Sequence, residues 1–217
     1  MDLNTYFLLH TDRNILKNPH YFPIYERHLR RYVGHPVTMF EIGTGDGGSC
    51  RMWKHFFGPA ARIVTIDIVD KRSFAESQVF VRTGDQSDPK FLGELVKEFG
   101  QPTIVFDDGS HQMGHINATF DVLMPQVPSG GTYLVEDLDG AYWHERGGGL
   151  RDPRSFVERS KGLVDEMNAR FTRGELKPSP CGENIVSISF YQMIVVFEKA
   201  SYMNITMTRT PTPLEAT

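Results

Sequence analysis

Short apolar runs rich in β-branched residues recur along the chain, and several stop on an acid. Val37-Thr38-Met39-Phe40-Glu41-Ile42, Arg62-Ile63-Val64-Thr65-Ile66-Asp67, Val79-Phe80-Val81-Arg82, Thr103-Ile104-Val105-Phe106 and Thr132-Tyr133-Leu134-Val135 read as five strands. Most of their positions are apolar on both faces, which is the pattern of a parallel sheet covered on each side. Between them the period lengthens to that of a helix. One helix runs from the glycines at 47–48 through Phe57, and one opens at Asp88-Pro89, an N-cap followed by proline at the first helical position, with Leu92, Leu95, Val96 and Phe99 as its stripe. Ile116, Phe120, Leu123 and Met124 mark another. The alternation predicts an open α/β sheet with helices on both faces.

The two ends of the chain depart from this rhythm. Residues 1–35 read as a helical lead-in in which Tyr25, Leu29, Tyr32 and Val33 pack on the sheet edge and Arg27, Arg30 and Arg31 form the solvated face. Residues 140–152, with Trp143, His144 and Gly147-Gly148-Gly149, are expected to form a mobile cover over a cleft. Pro153 to Phe171 reads as a helix that buries Phe156, Leu163, Val164, Met167 and Phe171. The runs Ile185–Tyr191 and Met193–Lys199 are joined by so little that they must be antiparallel, and residues 208–217 read as a loose tail. The whole makes a seven-stranded, mostly parallel sheet ending in an antiparallel hairpin, in one domain over 1–217.

Composition narrows the partners. A net charge of −4 gives no electrostatic reason to expect nucleic acid or a lipid surface, and no apolar run approaches a membrane span. Two cysteines, Cys50 and Cys181, are no disulfide framework, and the N-terminus lacks a signal-peptide core, so a cytoplasmic protein acting on a small molecule is expected. Oligomeric state is open, and a homo-oligomer is compatible with the sequence.

Candidate chemistry gathers at the strand ends, because ligands of open α/β sheets bind outside the carboxyl ends of the strands. After the first strand comes Gly43-Thr44-Gly45-Asp46-Gly47-Gly48, whose glycines let the backbone turn tightly beside a helix N-terminus. Alone this fits a dinucleotide site equally well, and Asp67 at the end of the second strand sits where a ribose-binding acid belongs in either reading. The fourth strand ends in Asp107-Asp108-Gly109-Ser110-His111 and the fifth in Glu136-Asp137. Clustered carboxylates favour a hard divalent cation, and a histidine beside them suits proton transfer. The plainer alternatives are a turn with Ser110 as N-cap, a simply hydrogen-bonded His111, and aromatic packing for Tyr142 and Trp143. His115, one helical turn beyond His111, also admits a His-His-carboxylate iron site.

Five strand–helix units closed by an antiparallel pair resemble the class I S-adenosylmethionine-dependent methyltransferases, with Glu41-Ile42-Gly43-Thr44-Gly45 similar to their first motif. A narrower match joins Asp108-Gly109-Ser110-His111 to Glu136-Asp137 and Ala141-Tyr142-Trp143. Together these resemble the catalytic domain of mycinamicin-type macrolide sugar O-methyltransferases. The resemblance implies that Glu41, Gly43, Thr44 and Gly45 serve the methionine part of S-adenosylmethionine, that Asp67 takes the ribose, and that Asp85 and Gln86 lie beside the adenine. It implies Asp108, Glu136 and Asp137 as Mg²⁺ ligands and His111 as catalytic base. The expected activity is Mg²⁺-assisted O-methylation of a hydroxyl on a sugar or sugar-like diol. Its rivals are a metal-independent O-methyltransferase using His111 alone, a metal-dependent oxygenase and a non-catalytic cofactor-binding module.

Overall fold

The apolar runs pair into one seven-stranded sheet in the computed structural model, which describes residues 2–200. In chain order the strands are β1 (Thr38–Ile42), β2 (Arg62–Asp67), β3 (Val79–Thr83), β4 (Ile104–Asp107), β5 (Thr132–Val135), β6 (Ile185–Tyr191) and β7 (Ile194–Lys199). Their order across the sheet is β3-β2-β1-β4-β5-β7-β6. β1 to β5 are parallel, and β7 runs against both β5 and β6.

Two apolar layers form because successive strand residues face opposite ways. Phe40, Ile42, Val64 and Val105 meet α4 (Pro89–Phe99), α5 (Met113–Leu123) and α6 (Phe156–Met167) on one face. Met39, Ile63, Ile104 and Phe106 meet α1 (Leu3–Leu9), α2 (Phe22–Leu29) and α3 (Gly48–Phe57) on the other. β1, β4 and β5 are buried at every position, so a polar side chain on them must find its partner inside the protein.

Several boundaries differ from the expectation. β4 begins one residue later than the apolar run and takes in Asp107. α2 stops at Leu29 and passes into a 3₁₀ turn over Arg30–Tyr32, which leaves Val33 exposed. α6 starts at Phe156 behind a Ser155 cap and ends at Met167, followed by a 3₁₀ turn over Ala169–Phe171. That tighter turn takes the side chains out of phase with the helix, and Phe171 faces solvent. Residues 138–146 hold two 3₁₀ turns, Leu138–Tyr142 and His144–Arg146, and the glycines that follow are tied back by Gly148 N–H to the Trp143 carbonyl and Gly149 N–H to the Ala141 carbonyl, both at 2.9 Å. The expected tail at 208–217 lies outside the described residues. Among those described, no helix is long and apolar enough to cross a membrane.

Candidate active site

The chain runs outward from β1 through β2 to β3 and then returns to place β4 on the other side of β1, so a cleft opens at the carboxyl ends of β1 and β4. The Asp108 amide donates to the Ile42 carbonyl at 3.0 Å, joining the two strand tips. Gly43, the next residue, has φ +96°, and a Cβ there would collide with the Asp108 carbonyl. Only glycine lets the two turns approach this closely.

Two cavities meet along this seam and share Gly43, Asp67 and Gly109 as walls. One, of about 180 Å³, runs past Asp67 and Ile68 to Asp85, Gln86 and His115. The other lies over Thr44 and Gly45 and reaches Asp108, His111 and Asp137. Asp67 Oδ2 accepts the Thr44 and Gly45 amides, each at 3.2 Å, while its Oδ1 accepts the Val69 amide at 2.9 Å. It therefore shapes the glycine loop and remains open to the cleft. Asp85 accepts both the amide and the hydroxyl of Ser87, and these hydrogen bonds hold its carboxyl below the usual range. Gln86 is buried, donating to Asp107 and Thr119 and accepting the Ser110 amide at 2.7 Å, so it stiffens the turn before His111.

Glu41 does not line the cleft. It is wholly buried beneath the loop, where it accepts the Trp53 indole N–H at 2.9 Å and the Cys50 thiol at 3.1 Å. Burial raises its pKa, partly offset by Lys17 and by these hydrogen bonds. Its expected contact with a cofactor becomes support from below, because Glu41 points to the α3 face of the sheet.

At the tips of β4 and β5, Asp108, His111 and Asp137 each offer a ligand atom, and all three atoms lie within 4.8 Å of one another. His111 and Asp137 both adopt left-handed backbone, φ 55° and 54°. Such conformations are uncommon outside glycine and are held in place by surrounding structure. Here Arg146 contributes, donating to the Ser110 carbonyl at 3.2 Å, and Gly140 sits against the His111 carbonyl. Glu136 is set apart from this group. It is buried, takes the Tyr25 hydroxyl on one oxygen and the Lys17 ammonium on the other, and its pKa is driven up by burial and by Asp108. The same ammonium reaches Asp108, and Tyr21 donates its hydroxyl to Asp137. Each acid is thus held by a side chain from residues 17–25.

Burial alone would lower the Lys17 pKa, but the Glu136 and Asp108 carboxylates outweigh it and keep the ammonium charged. Lys17 and Tyr25 were not among the expected site residues; the local signal was the four-residue spacing of Lys17, Tyr21 and Tyr25. His115 is absent from the acid cluster. Its Nδ1 pairs with the Ser110 hydroxyl at 2.9 Å, and its ring lines the cavity beside Asp85. A paired-histidine iron site is therefore not assembled. Ser110 is not the cap of α5 either, since Gln112 holds that position and its amide donates to Ser110 Oγ at 3.3 Å.

The donor set suits a hard cation. Carboxylate oxygens from two strand tips converge where a positive charge already sits, and a further carboxylate and an imidazole stand within reach.

A sheet of this order, with its seventh strand reversed and a glycine turn at the switch point, is that of the class I methyltransferases. Comparison with known proteins narrows this. No protein-family model matches the chain. It is 37% identical over 194 residues to mycinamicin VI 2''-O-methyltransferase of Micromonospora griseorubida, covering 83% of this chain and 48% of that one. It is 38% identical to demethylmacrocin O-methyltransferase of Streptomyces fradiae, with 83% and 49% covered. A crystal structure of the MycE methyltransferase of the mycinamycin pathway, in complex with Mg and SAH, superposes with a TM-score of 0.81 at 32% identity, covering 91% of this chain and 53% of that one. The chain is a homologue of part of these O-methyltransferases and spans about half the length of the curated relatives it matches.

Proposed function

We propose that this chain carries the catalytic site of an S-adenosylmethionine-dependent, Mg²⁺-assisted O-methyltransferase whose acceptor is a hydroxyl on a sugar or sugar-like diol of a glycosylated natural product. The observation that carries the reading is the junction of the two cavities: the glycine loop and the Asp108-His111-Asp137 cluster share one seam. An 8-demethyl-8-alpha-L-rhamnosyl tetracenomycin-C 2'-O-methyltransferase of Streptomyces olivaceus is 35% identical to the chain, and a complex of MycE with Mg, SAH and mycinamycin VI superposes on it at a TM-score of 0.78 and 34% identity.

In this reading the methionine part of the donor lies over Gly43, Thr44 and Gly45, the ribose hydroxyls meet Asp67, and the adenine enters the cavity lined by Asp85 and Gln86. Asp108, Glu136 and Asp137 hold the cation, which supplies Lewis acidity that makes an acceptor hydroxyl easier to deprotonate. His111 stands on the cluster's edge, its Nε2 3.9 Å from Asp108 Oδ1, and takes the hydroxyl proton. As the oxygen forms its bond to the methyl carbon, the carbon–sulfur bond breaks and its electron pair returns to sulfur. His111 borders the cavity over the glycine loop from a left-handed backbone position, which places it beside the point where an acceptor hydroxyl would arrive. Free, buried Cys50 and Cys181 support a cytoplasmic setting. We assign nucleic acid and membrane no part.

One observation favours a second reading. Lys17 already neutralises part of the acid cluster, as it would in an enzyme that works through His111 without metal. Transfer of a labelled methyl group to a deoxysugar glycoside, before and after EDTA treatment and Mg²⁺ readdition, separates the two. The proposal expects loss and recovery. Full activity in EDTA selects the metal-free enzyme, and failure to bind S-adenosylhomocysteine removes both.

A further inference from the structure

Lys17 lies in the irregular segment between α1 and α2, yet its side chain is only 2% exposed. Its ammonium donates to Asp108 Oδ2 and Glu136 Oε1 and stands 5.1 Å from the centre of the Phe106 ring. The two carboxylate oxygens turned toward it come from different strand tips, β4 and β5. Two carboxylates brought together away from water repel each other unless a cation lies between them, and here the chain provides its own.

The backbone around Lys17 is pinned. Asn14 donates to Asp46 at 3.2 Å and presses its carbonyl against Gly48, Arg13 donates to the Phe74 carbonyl at 3.4 Å, and Tyr21 holds Asp137 on the other side. The lysine stem itself is a flexible four-carbon chain, and Lys17 borders the cavity over the glycine loop. That cavity gives the stem a side toward which it could turn without movement of the segment that carries it.

Resting on the metal reading given above, we propose that Lys17 is a built-in rival of the divalent cation: its ammonium occupies Asp108 and Glu136 in the metal-free protein and leaves them when metal binds, so Lys17 sets the metal affinity of the site. An ammonium and a divalent ion cannot share these two carboxylates at close range without strong repulsion. The acids are thereby kept assembled before loading, and the metal is bound more weakly than three free carboxylates would bind it.

Two measurements test this. Lys17→Met keeps the apolar stem and removes the charge; Mn²⁺ binding, followed by electron paramagnetic resonance at fixed pH without donor, is expected to tighten at least tenfold. In the wild-type protein, acetylation of Lys17 by an N-hydroxysuccinimide ester, read by peptide mass spectrometry, is expected to be slow without metal and to rise severalfold at saturating Mg²⁺. Equal or weaker Mn²⁺ binding by the variant overturns the inference. So does unchanged protection of Lys17 on metal loading, and this second measurement decides alone if the variant does not fold. Binding of S-adenosylhomocysteine with no Mn²⁺ binding by either protein removes the metal reading itself, an outcome distinct from the other two.

Discussion

Tyr25 donates its hydroxyl proton to Glu136, 111 positions further along the chain, in the interior of the protein. The pairing links the helical lead-in to the end of β5 and gives the buried carboxylate one of its two partners. Tyr25→Phe removes the donor and leaves that oxygen without it. The expected cost is about 1–3 kcal/mol of folding stability. Urea unfolding at pH 7 checks it; a midpoint equal to wild type would show that the carboxylate is satisfied in another way.

Gly43→Ala is expected to be far more damaging. The position requires φ +96°, and the new methyl would run into the Asp108 carbonyl, a main-chain atom with no rotamer to escape by. Loss of several kcal/mol, or no folded protein, is the expected outcome in a thermal melt. Gly45→Ala is the control: its φ of +52° strains the backbone, but nothing lies within 4 Å of the added atom, so its cost is expected to be smaller.

Asp67→Asn keeps the shape of the side chain that receives the Thr44 and Gly45 amides while removing its charge. If Asp67 takes ribose hydroxyls, S-adenosylhomocysteine affinity falls by about 1.5–3 kcal/mol, roughly ten- to 150-fold. Calorimetric titration reads this directly. An unchanged dissociation constant would move the ribose elsewhere.

Asp107 predicts a pH dependence. Burial raises its carboxyl to about 7, against the downward pull of Gln86 and the Gly109 amide, and its Oδ2 has no hydrogen-bond partner. Because the folded pKa lies above the unfolded value of about 4, the stability linked to this proton is complete below about pH 4 and is lost as pH rises through about 7, a change on the order of 4 kcal/mol. Asp107→Asn stays neutral throughout. The wild-type protein is therefore expected to lose stability relative to the variant between pH 4.5 and 7.5; parallel unfolding curves across that range would contradict it.

Much of the framework was legible because its signals are local. β2, β5 and β6 coincide with their apolar runs, and α4 begins at the Asp88-Pro89 cap, where Asp88 accepts the Lys90 amide at 2.9 Å. The acids at the strand ends were legible for the same reason, since a strand that stops on a carboxylate announces a cleft. What escaped depends on contacts between distant residues. An alternating strand puts Glu41 beneath the sheet and Asp107 above it, and a contiguous apolar run does not reveal which face each residue takes. Lys17 precedes α2 outside any regular element, and its four-residue spacing from Tyr21 and Tyr25 does not tell that it is the counter-charge of Glu136.

The close approach of Gly43 to Asp108 also bears on how such a protein diversifies. In the proposed reaction the donor and the acceptor oxygen would meet across this seam, and main-chain atoms of neighbouring strands, rather than a replaceable side chain, would set their separation. Gly140 and Arg146 support the His111 turn, so a change of acceptor would fall on exposed neighbours such as Tyr142 and Trp143 and leave that support in place.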